Sequence, residues 1–324
     1  MRQSPNRRDM MIDAWTLGRM GRAAAGALVG LAALIGPACS VESGAPDAGQ
    51  ETSEMPDAAA YVESIDAWHA GRVARLTDSE GWLTLVGLTW LDEGRSAVGR
   101  GPSCVVQHDG FPVEDVGTIV RAGDVIRFEP APGAPVTGVP AGGVMLADDS
   151  GDPTVLVVGT CRFHVIRRGE RYGVRLKDEA AAARRTFAGI DRFPVDPAWR
   201  VSARWIPAPP DTVTPVELII GTTIEEPVAG RAAFVHDGAE VSLVLTPTSD
   251  PSRLFVVFGD TTNGATTYGG GRFLEAVLEG DTVILDFNRA YNPPCALTPF
   301  ATCPMPGPDN RLPFVVAAGE KHPG

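Results

Sequence analysis

From about residue 60 onward, apolar and polar positions alternate in short runs that are typical of β-structure. One stretch differs, because Tyr61, Ile65, Trp68 and Leu76 recur at a near-helical spacing and predict a helix at the start of the folded part. Beyond it, strands separated by Gly, Pro or Asp are expected. In the first half the predicted strands are residues 82–90, 124–129, 155–158, 162–167 and 172–177. In the second half they are residues 201–206, 216–222, 232–236, 241–246, 254–258, 272–278, 282–288 and 314–317.

The order of these elements favours a mainly β protein with few short helices. Strands do not alternate with long helices, which argues against a parallel α/β fold. Asp237-Gly238 and Gly280-Asp281 each separate two apolar strands and predict tight hairpin turns. A break at residues 179–200 divides the chain into two β-lobes. We predict a sandwich-like N-terminal lobe over residues 60–180 and an antiparallel C-terminal lobe over residues 181–324.

The N-terminal residues 1–39 are typical of an export signal. Arg19 and Arg22 precede an uncharged apolar run, residues 23–38, that is shorter than a membrane span needs. The run ends in Gly-Pro-Ala followed by Cys39, which resembles a bacterial lipoprotein cleavage site although a Gly stands where Leu is preferred. We therefore expect an exported protein of the cell envelope that is anchored to the membrane by a lipid on Cys39. Ordinary signal cleavage and a retained membrane anchor are the alternatives.

Charge and composition limit the classes of partner that the protein is expected to bind. Residues 40–59 hold acids, no bases and hardly any large apolar group, so they predict a disordered tether. The whole chain has 28 Lys and Arg against 40 Asp and Glu, a net charge of −12. Because neutralising phosphates requires a surplus of cations, this balance argues against a nucleic-acid partner. A small molecule or another envelope protein remains as the expected partner.

Several sequence blocks are distinctive. They are GWLTLVGLTWLDEG (81–94), RRGERYGVRLKD (167–178), RRTFAGIDRFPVDPAWRV (184–201), FGDTTNGATTYGGGRFL (258–274) and LDFNRAYNPPCALTPFATCPMPGPDNRLPFVVAAGEK (285–321). With these blocks the chain resembles the bacterial and archaeal domain of unknown function 1684 over about residues 60–321. The resemblance implies no reaction, since the activity of that family is unassigned. Many of its members resemble this chain in their lipoprotein-like N-terminus.

The sequence contains none of the common catalytic motifs. A G-x-S-x-G elbow, a phosphate-binding Walker loop and an H-E-x-x-H pair are absent. The histidines are scattered, without a pair at metal-ligand spacing: His69, His108, His164, His236 and His322. We therefore predict no metal site, and the sequence leaves a cofactor undefined.

Four cysteines lie beyond Cys39. Cys295 and Cys303 enclose a short Pro-rich segment, and in an exported protein this spacing predicts a disulfide. A metal-binding or redox pair and two free thiols are the alternatives. A bridge between Cys104 and Cys161 is a weaker expectation, because nothing in the sequence constrains their distance.

Polar residues concentrate between residues 260 and 321, and five of them form the candidate ligand site. These are Arg272, Asp286 and Asn288 first, with Asp260 and Tyr268 next.

Two alternative registers of the strands on either side of Gly280-Asp281 predict different chemistry for this region. A two-residue turn at Gly280-Asp281 would set Glu275 opposite Asp286, a carboxylate pair able to bind a cation or share a proton. A one-residue slip would set Arg272 opposite Asn288, a patch suited to an anionic or hydroxylated ligand.

Three interpretations of the cluster stay open. Its residues can serve structure alone, by capping turns and pairing Arg with Asp inside the fold. They can bind a small polar ligand or an envelope partner. They can also form a hydrolase-like active site in which Asp286 and Arg272 act with Asn288 by acid–base or electrostatic catalysis. No activated nucleophile is visible, so the sequence does not decide whether the protein is an enzyme.

Overall fold

A computed structural model describes residues 57–140 and 142–323. The predicted signal segment, the lipid site Cys39 and nearly all of the tether lie outside the described residues. Helix α1, Ala58–Leu76, begins where Asp57 accepts a hydrogen bond from the backbone of Ala59, and it buries Tyr61, Ile65 and Leu76. The predicted helix is thus confirmed, and its first two residues fall within the expected tether. Helix α2, Ala182–Arg185, has a single turn.

The N-terminal half contains nine strands in two sheets. They are β1 Leu85–Trp90, β2 Gly94–Gly99, β3 Val106–Gln107, β4 Gly117–Ala122, β5 Val125–Pro130, β6 Val144–Met145, β7 Leu156–Val158, β8 Cys161–Arg168 and β9 Arg171–Asp178. One sheet has the order β1-β9-β8-β7 and the other β3-β2-β4-β5-β6. Both supply one apolar core, in which the rings of Phe128 and Phe163 meet edge to face. This packing confirms the sandwich-like lobe.

The C-terminal half is built around a closed barrel. The strands of this half are β10 Arg200–Pro207, β11 Val213–Glu217, β12 Thr223–Pro227, β13 Gly230–His236, β14 Ala239–Pro247, β15 Arg253–Phe258, β16 Arg272–Glu279 and β17 Thr282–Asp286. Strands β11 and β12 form a separate two-stranded sheet. The barrel order is β10-β13-β14-β15-β16-β17, with β10 pairing to both ends of the series. Asp237 and Gly238 have φ angles of 49° and 78°, as the predicted tight turn between β13 and β14 requires. The mainly β fold is therefore confirmed, and closure leaves the barrel without open edges.

Two predicted strands are wrong. Residues 216–222 do not form one strand, because Leu218 donates a backbone hydrogen bond to Thr222 and Gly221 has a φ of 73°, which closes a turn between β11 and β12. Residues 314–317 are not a strand either. The guanidinium of Arg272 binds the carbonyl of Val316, so this segment is held by a side chain instead of a neighbouring strand.

Helix α1 precedes the sandwich in sequence but contacts the C-terminal half. The hydroxyl of Tyr61 donates to Asp286 at 2.7 Å, and Arg72 donates to the backbone carbonyl of Asn292 at 2.9 Å. Arg72 also pairs with Glu320 at 3.5 Å. The helix therefore ties the start of the described chain to its end. No helix among the described residues is both long and apolar enough to cross a membrane.

Candidate functional site

A cavity of about 590 Å³ lies between the two halves of the protein. One wall is the face of the β1-β9-β8-β7 sheet that points away from the sandwich core, and the opposite wall is the outer face of barrel strands β10 and β15 to β17. Helix α1 and residues 289–304 close the sides. The volume is typical of a site for a small-molecule ligand. We call this space the interlobe cavity.

Strand alternation explains which side chains reach the cavity. On β9, Val174 and Leu176 enter the sandwich core, so Arg175 and Lys177 point the other way. His164 lies directly across from Arg175 on β8. The same period on β16 buries Leu274 in the barrel and turns Glu275 outward.

The wall of the interlobe cavity is strongly cationic. Among the described residues, the acids that line it are Asp149, Glu275 and Asp286. Its eight cations are Arg72, Arg75, Arg168, Arg175, Lys177, Arg200, Arg253 and Arg289. In a chain with a net charge of −12, this concentration of positive charge opposes the overall balance. The geometry suits an anion.

Each acid of the wall already has an arginine partner. Asp149 binds Arg168 through both carboxylate oxygens, at 2.9 and 3.0 Å. Glu275 pairs with Arg253 at 3.5 Å, and Asp286 with Arg289 at 3.3 Å.

Further cations of the wall have no such partner. Within the described part of the chain, no acid lies within ion-pair distance of Arg75 or Arg200. These two side chains are therefore available to a bound anion.

The pKa shifts of His164 and Glu275 reflect their burial in the cavity wall. Burial, and then the charge of Arg175, lower the pKa of His164 to about 3, so the imidazole is neutral. Burial raises the pKa of Glu275 against the opposing effect of Arg253, which favours its protonated form. Desolvation is the largest cause of both shifts, and the positive charge of the wall adds to it for His164 and opposes it for Glu275.

Aromatic rings supply the apolar part of the wall. Trp68 lies 6.3 Å from Tyr291 between ring centroids, and the guanidinium of Arg72 sits 4.6 Å above the Tyr291 ring. On the sandwich side, Arg175 and Lys177 lie over the ring of Trp82. A ligand with an anionic group and an apolar part would find both kinds of surface here.

Of the five residues predicted as the candidate ligand site, Asp286 lines the interlobe cavity and the other four do not. Arg272 and Asp260 form an ion pair in which neither side chain is exposed to solvent, and Arg272 also binds the carbonyls of Val316 and Ala318. This pair anchors the C-terminal segment inside the fold. For these two residues the contacts correspond to the structural interpretation.

Asn288 and Tyr268 also lie outside the cavity wall. The side chain of Asn288 donates to the carbonyl of Asp196 and accepts from its amide, so it clamps two segments together. Burial raises the pKa of Tyr268 to about 12, with the neighbouring Cys295 and Cys303 thiols as the next causes. The proposed set is thus brought together only in part, because Asn288 donates to Asp286 at 3.4 Å while Arg272 is enclosed in its ion pair with Asp260.

The hairpin follows the first of the two registers. Glu279 pairs with Thr282 across the Gly280-Asp281 turn, but the ladder ends at Val277 and Ile284. Asp286 pairs instead with Arg200 of β10. Glu275 and Asp286 are thus not cross-strand partners, although both face the interlobe cavity.

Cys295 and Cys303 are adjacent but free in this structure, so the predicted disulfide is not formed. The amide of each donates to the sulfur of the other at 3.2 Å. Cys104 and Cys161 are free as well. Cys104 donates to the carbonyl of Glu114 at 3.4 Å.

Comparison with known proteins identifies the family. The family model described as a protein of unknown function, DUF1684, matches residues 185–321. The chain belongs to the DUF1684 family. The match covers less of the chain than the resemblance over residues 60–321 suggested. No curated protein matches the chain.

One solved structure similar to this DUF1684 protein is the solution NMR structure of an uncharacterized protein of Haloarcula marismortui. It is 35% identical, and the alignment covers 43% of this chain and 78% of that one, with a TM-score of 0.36.

The described part of this DUF1684 protein contains one group of side chains able to hold a metal ion. The ligand atoms of His108, Cys161 and Asp178 lie within 4.8 Å of one another, and His108 is hydrogen-bonded to Asp178 at 3.0 Å. Three such donors with an open position are one arrangement that zinc accepts. Sequence spacing could not reveal the group, because Cys161 and Asp178 meet only as cross-strand partners.

Sequence reasoning missed the cations of the interlobe cavity. A signal was present in β9, where Arg171, Arg175 and Lys177 alternate with Tyr172, Val174 and Leu176. Such alternation predicts one cationic and one apolar face. It does not show that the cationic face is covered by a barrel, which turns a solvated charged surface into a cavity wall.

Proposed function

We propose that this DUF1684 protein is an envelope-exported, lipid-anchored binding protein for a small anionic ligand with an apolar part. The observation that carries the proposal is the surplus of cations over acids around the interlobe cavity of about 590 Å³. Arg75 and Arg200 would contact the anionic group, and Trp68 and Tyr291 the apolar part. The site thus moves from the predicted C-terminal cluster to the space between the two halves.

The physical basis is the cost of an unneutralised cationic cavity. Like charges that face each other in a partly buried space repel one another more strongly than on an open surface. An anion would relieve this repulsion and accept charge-assisted hydrogen bonds, each worth about 1.5–3 kcal/mol. A neutral sugar could accept hydrogen bonds from the guanidinium groups but would not relieve the repulsion between them.

Calorimetric titration of the full-length protein in detergent tests the binding. The probes are n-octyl phosphate, inorganic phosphate and n-octyl glucoside below their micellar concentrations. We expect n-octyl phosphate to bind most tightly, inorganic phosphate more weakly and the glucoside not at all. Binding should weaken as salt is added, because the contacts are electrostatic.

A matched pair of variants on strand β10 localises the site. Arg200→Gln should weaken n-octyl phosphate binding about tenfold or more, the equivalent of ~1.4 kcal/mol. Arg204→Gln should leave it unchanged, because Arg204 is exposed and pairs with Glu240 outside the cavity. Equal affinities for wild type and Arg200→Gln would contradict binding in the interlobe cavity.

The membrane anchor has a separate test. Growth of the expressing bacterium with a labelled fatty acid should label the wild-type protein, and Cys39→Ser should abolish the label. Cys104→Ser should retain it. Labelling that persists without Cys39 would contradict the anchor.

An esterase or phosphatase acting in the same cavity is the second candidate function. It is favoured by Glu275, a wall carboxyl whose pKa is raised by burial, which is the direction that a general acid requires. In this candidate enzyme Arg272 and Asn288 would not contact the substrate, whereas Asp286 would face it. Turnover of 4-nitrophenyl phosphate or 4-nitrophenyl octanoate that is lost in Glu275→Gln and kept in Glu279→Gln would support it. If the protein binds the ligand but turns over neither substrate, it acts as a binding protein and the enzyme candidate is excluded.

A further inference from the structure

Cys295 and Cys303 face each other across a segment without strand partners. Cys295 lies in a single 3-10 turn, Pro294–Ala296, and Cys303 lies beyond it next to the interlobe cavity. The amide of each residue donates to the sulfur of the other at 3.2 Å. This reciprocal geometry holds both sulfurs in place while both remain free thiols.

The two thiols have unequal surroundings. Cys295 is half-buried, and the hydrogen bond from the Cys303 thiol lowers its pKa, with Arg175 as a further favourable charge. Cys303 is buried, and burial raises its pKa well above the ordinary value. Burial also raises the pKa of Cys161, to about 11, and that of Cys104. Cys295 is thus the only one of these four described cysteines whose thiolate is favoured.

We propose that Cys295 and Cys303 form a reversible dithiol–disulfide couple that exchanges with low-molecular-weight disulfides. Cys295 is the attacking thiolate and Cys303 the resolving thiol. The couple can be tested separately from the anionic ligand proposed above, because the exchange requires no ligand, although Cys303 and Arg175 line the same cavity.

The exchange proceeds in two balanced steps. The Cys295 thiolate attacks one sulfur of the external disulfide, forms a mixed disulfide and releases the first external thiolate. The Cys303 thiol then gives its proton to solvent, attacks the Cys295 sulfur and releases the second external thiolate. The protein loses two electrons and the external disulfide gains them. The protons of the two cysteines end on the two released thiols.

Glutathione buffers that run from fully reduced to fully oxidised test the couple in the full-length protein. After acid quenching and alkylation, peptide mass spectrometry should show one transition that joins Cys295 to Cys303 while the protein stays folded. Cys104 and Cys161 should remain alkylated throughout. A bridge that opens only after unfolding in denaturant, or thiols that stay free in oxidised glutathione, would overturn the proposal.

Alkylation kinetics of the reduced wild type add a readout that does not depend on a variant folding. At pH 7, iodoacetamide should modify Cys295 at least tenfold faster than Cys303. Cys303→Ser should accumulate a glutathione adduct on Cys295, whereas Cys104→Ser should behave as wild type. Equal alkylation rates for the two cysteines would contradict the assigned roles.

Discussion

The hydroxyl of Tyr61 donates a hydrogen bond of 2.7 Å to the carboxylate of Asp286, and it thereby joins helix α1 to the end of strand β17. The side-chain amide of Asn288 donates to the same hydroxyl at 2.9 Å. Burial, and then the bond to Asp286, raise the pKa of Tyr61, so the phenol keeps its proton and acts as a donor. The contact holds α1 against the side of the interlobe cavity.

Loss of this hydroxyl should be costly. Tyr61→Phe should lower the free energy of unfolding by about 1.5–3 kcal/mol, because the bond has a charged acceptor. Urea denaturation measures the change. Tyr268→Phe is the control, since no hydrogen bond to the Tyr268 hydroxyl is found among the described residues, and it should change stability little. Equal effects of both substitutions would contradict the assigned role of Tyr61.

Removal of Arg272 should destabilise the protein more strongly. Arg272→Met leaves the carboxylate of Asp260 buried without its partner, for which we expect a loss of about 3–5 kcal/mol. The double variant Asp260→Asn, Arg272→Met should recover part of the loss. Arg204→Gln, which breaks an exposed pair, should have little effect. If the double variant is no more stable than Arg272→Met, the two side chains are not coupled.

Stability should fall in acid because His164 is buried as the neutral form. Its folded pKa of about 3 lies below the ordinary value of 6.5, so the unfolded chain takes up the proton first. The contribution is complete above pH 6.5 and is lost as the pH falls toward 3, by about 1.4 kcal/mol per pH unit. Urea titrations between pH 4 and 8 should show this part of the slope in wild type and not in His164→Gln. A variant at the exposed His322 should retain it.

Two glycines with similar backbone angles should respond differently to alanine. Gly271 has a φ of 84°, and a Cβ there would lie 2.6 Å from the carbonyl oxygen of Phe258. Gly264 has a φ of 81° with open space around it. Gly264→Ala should cost about 1–2 kcal/mol from backbone strain, and Gly271→Ala a further 1–3 kcal/mol from the clash. Equal thermal midpoints for the two variants would exclude the clash.

The sequence by itself determined the features that depend on neighbouring residues. The spacing of Tyr61, Ile65 and Leu76 predicted helix α1, and Asp237-Gly238 predicted the hairpin of β13 and β14. Period-two patterns predicted most strands of the barrel and the four-stranded sheet, because a strand exposes alternate side chains to the core wherever it lies in the chain. The family resemblance was also readable from local blocks, and the family comparison confirms it.

Only the tertiary structure determined which charged side chains lie next to one another. Arg272 and Asp286 lie close in sequence, yet one is sealed in an ion pair and the other faces the interlobe cavity. The cavity gathers Arg75, Arg175 and Arg200 from three separate elements. Packing of a sheet face against a barrel face sets these neighbours, and packing depends on long-range contacts that no local pattern records. The fold class could therefore be predicted from the sequence, and the candidate site could not.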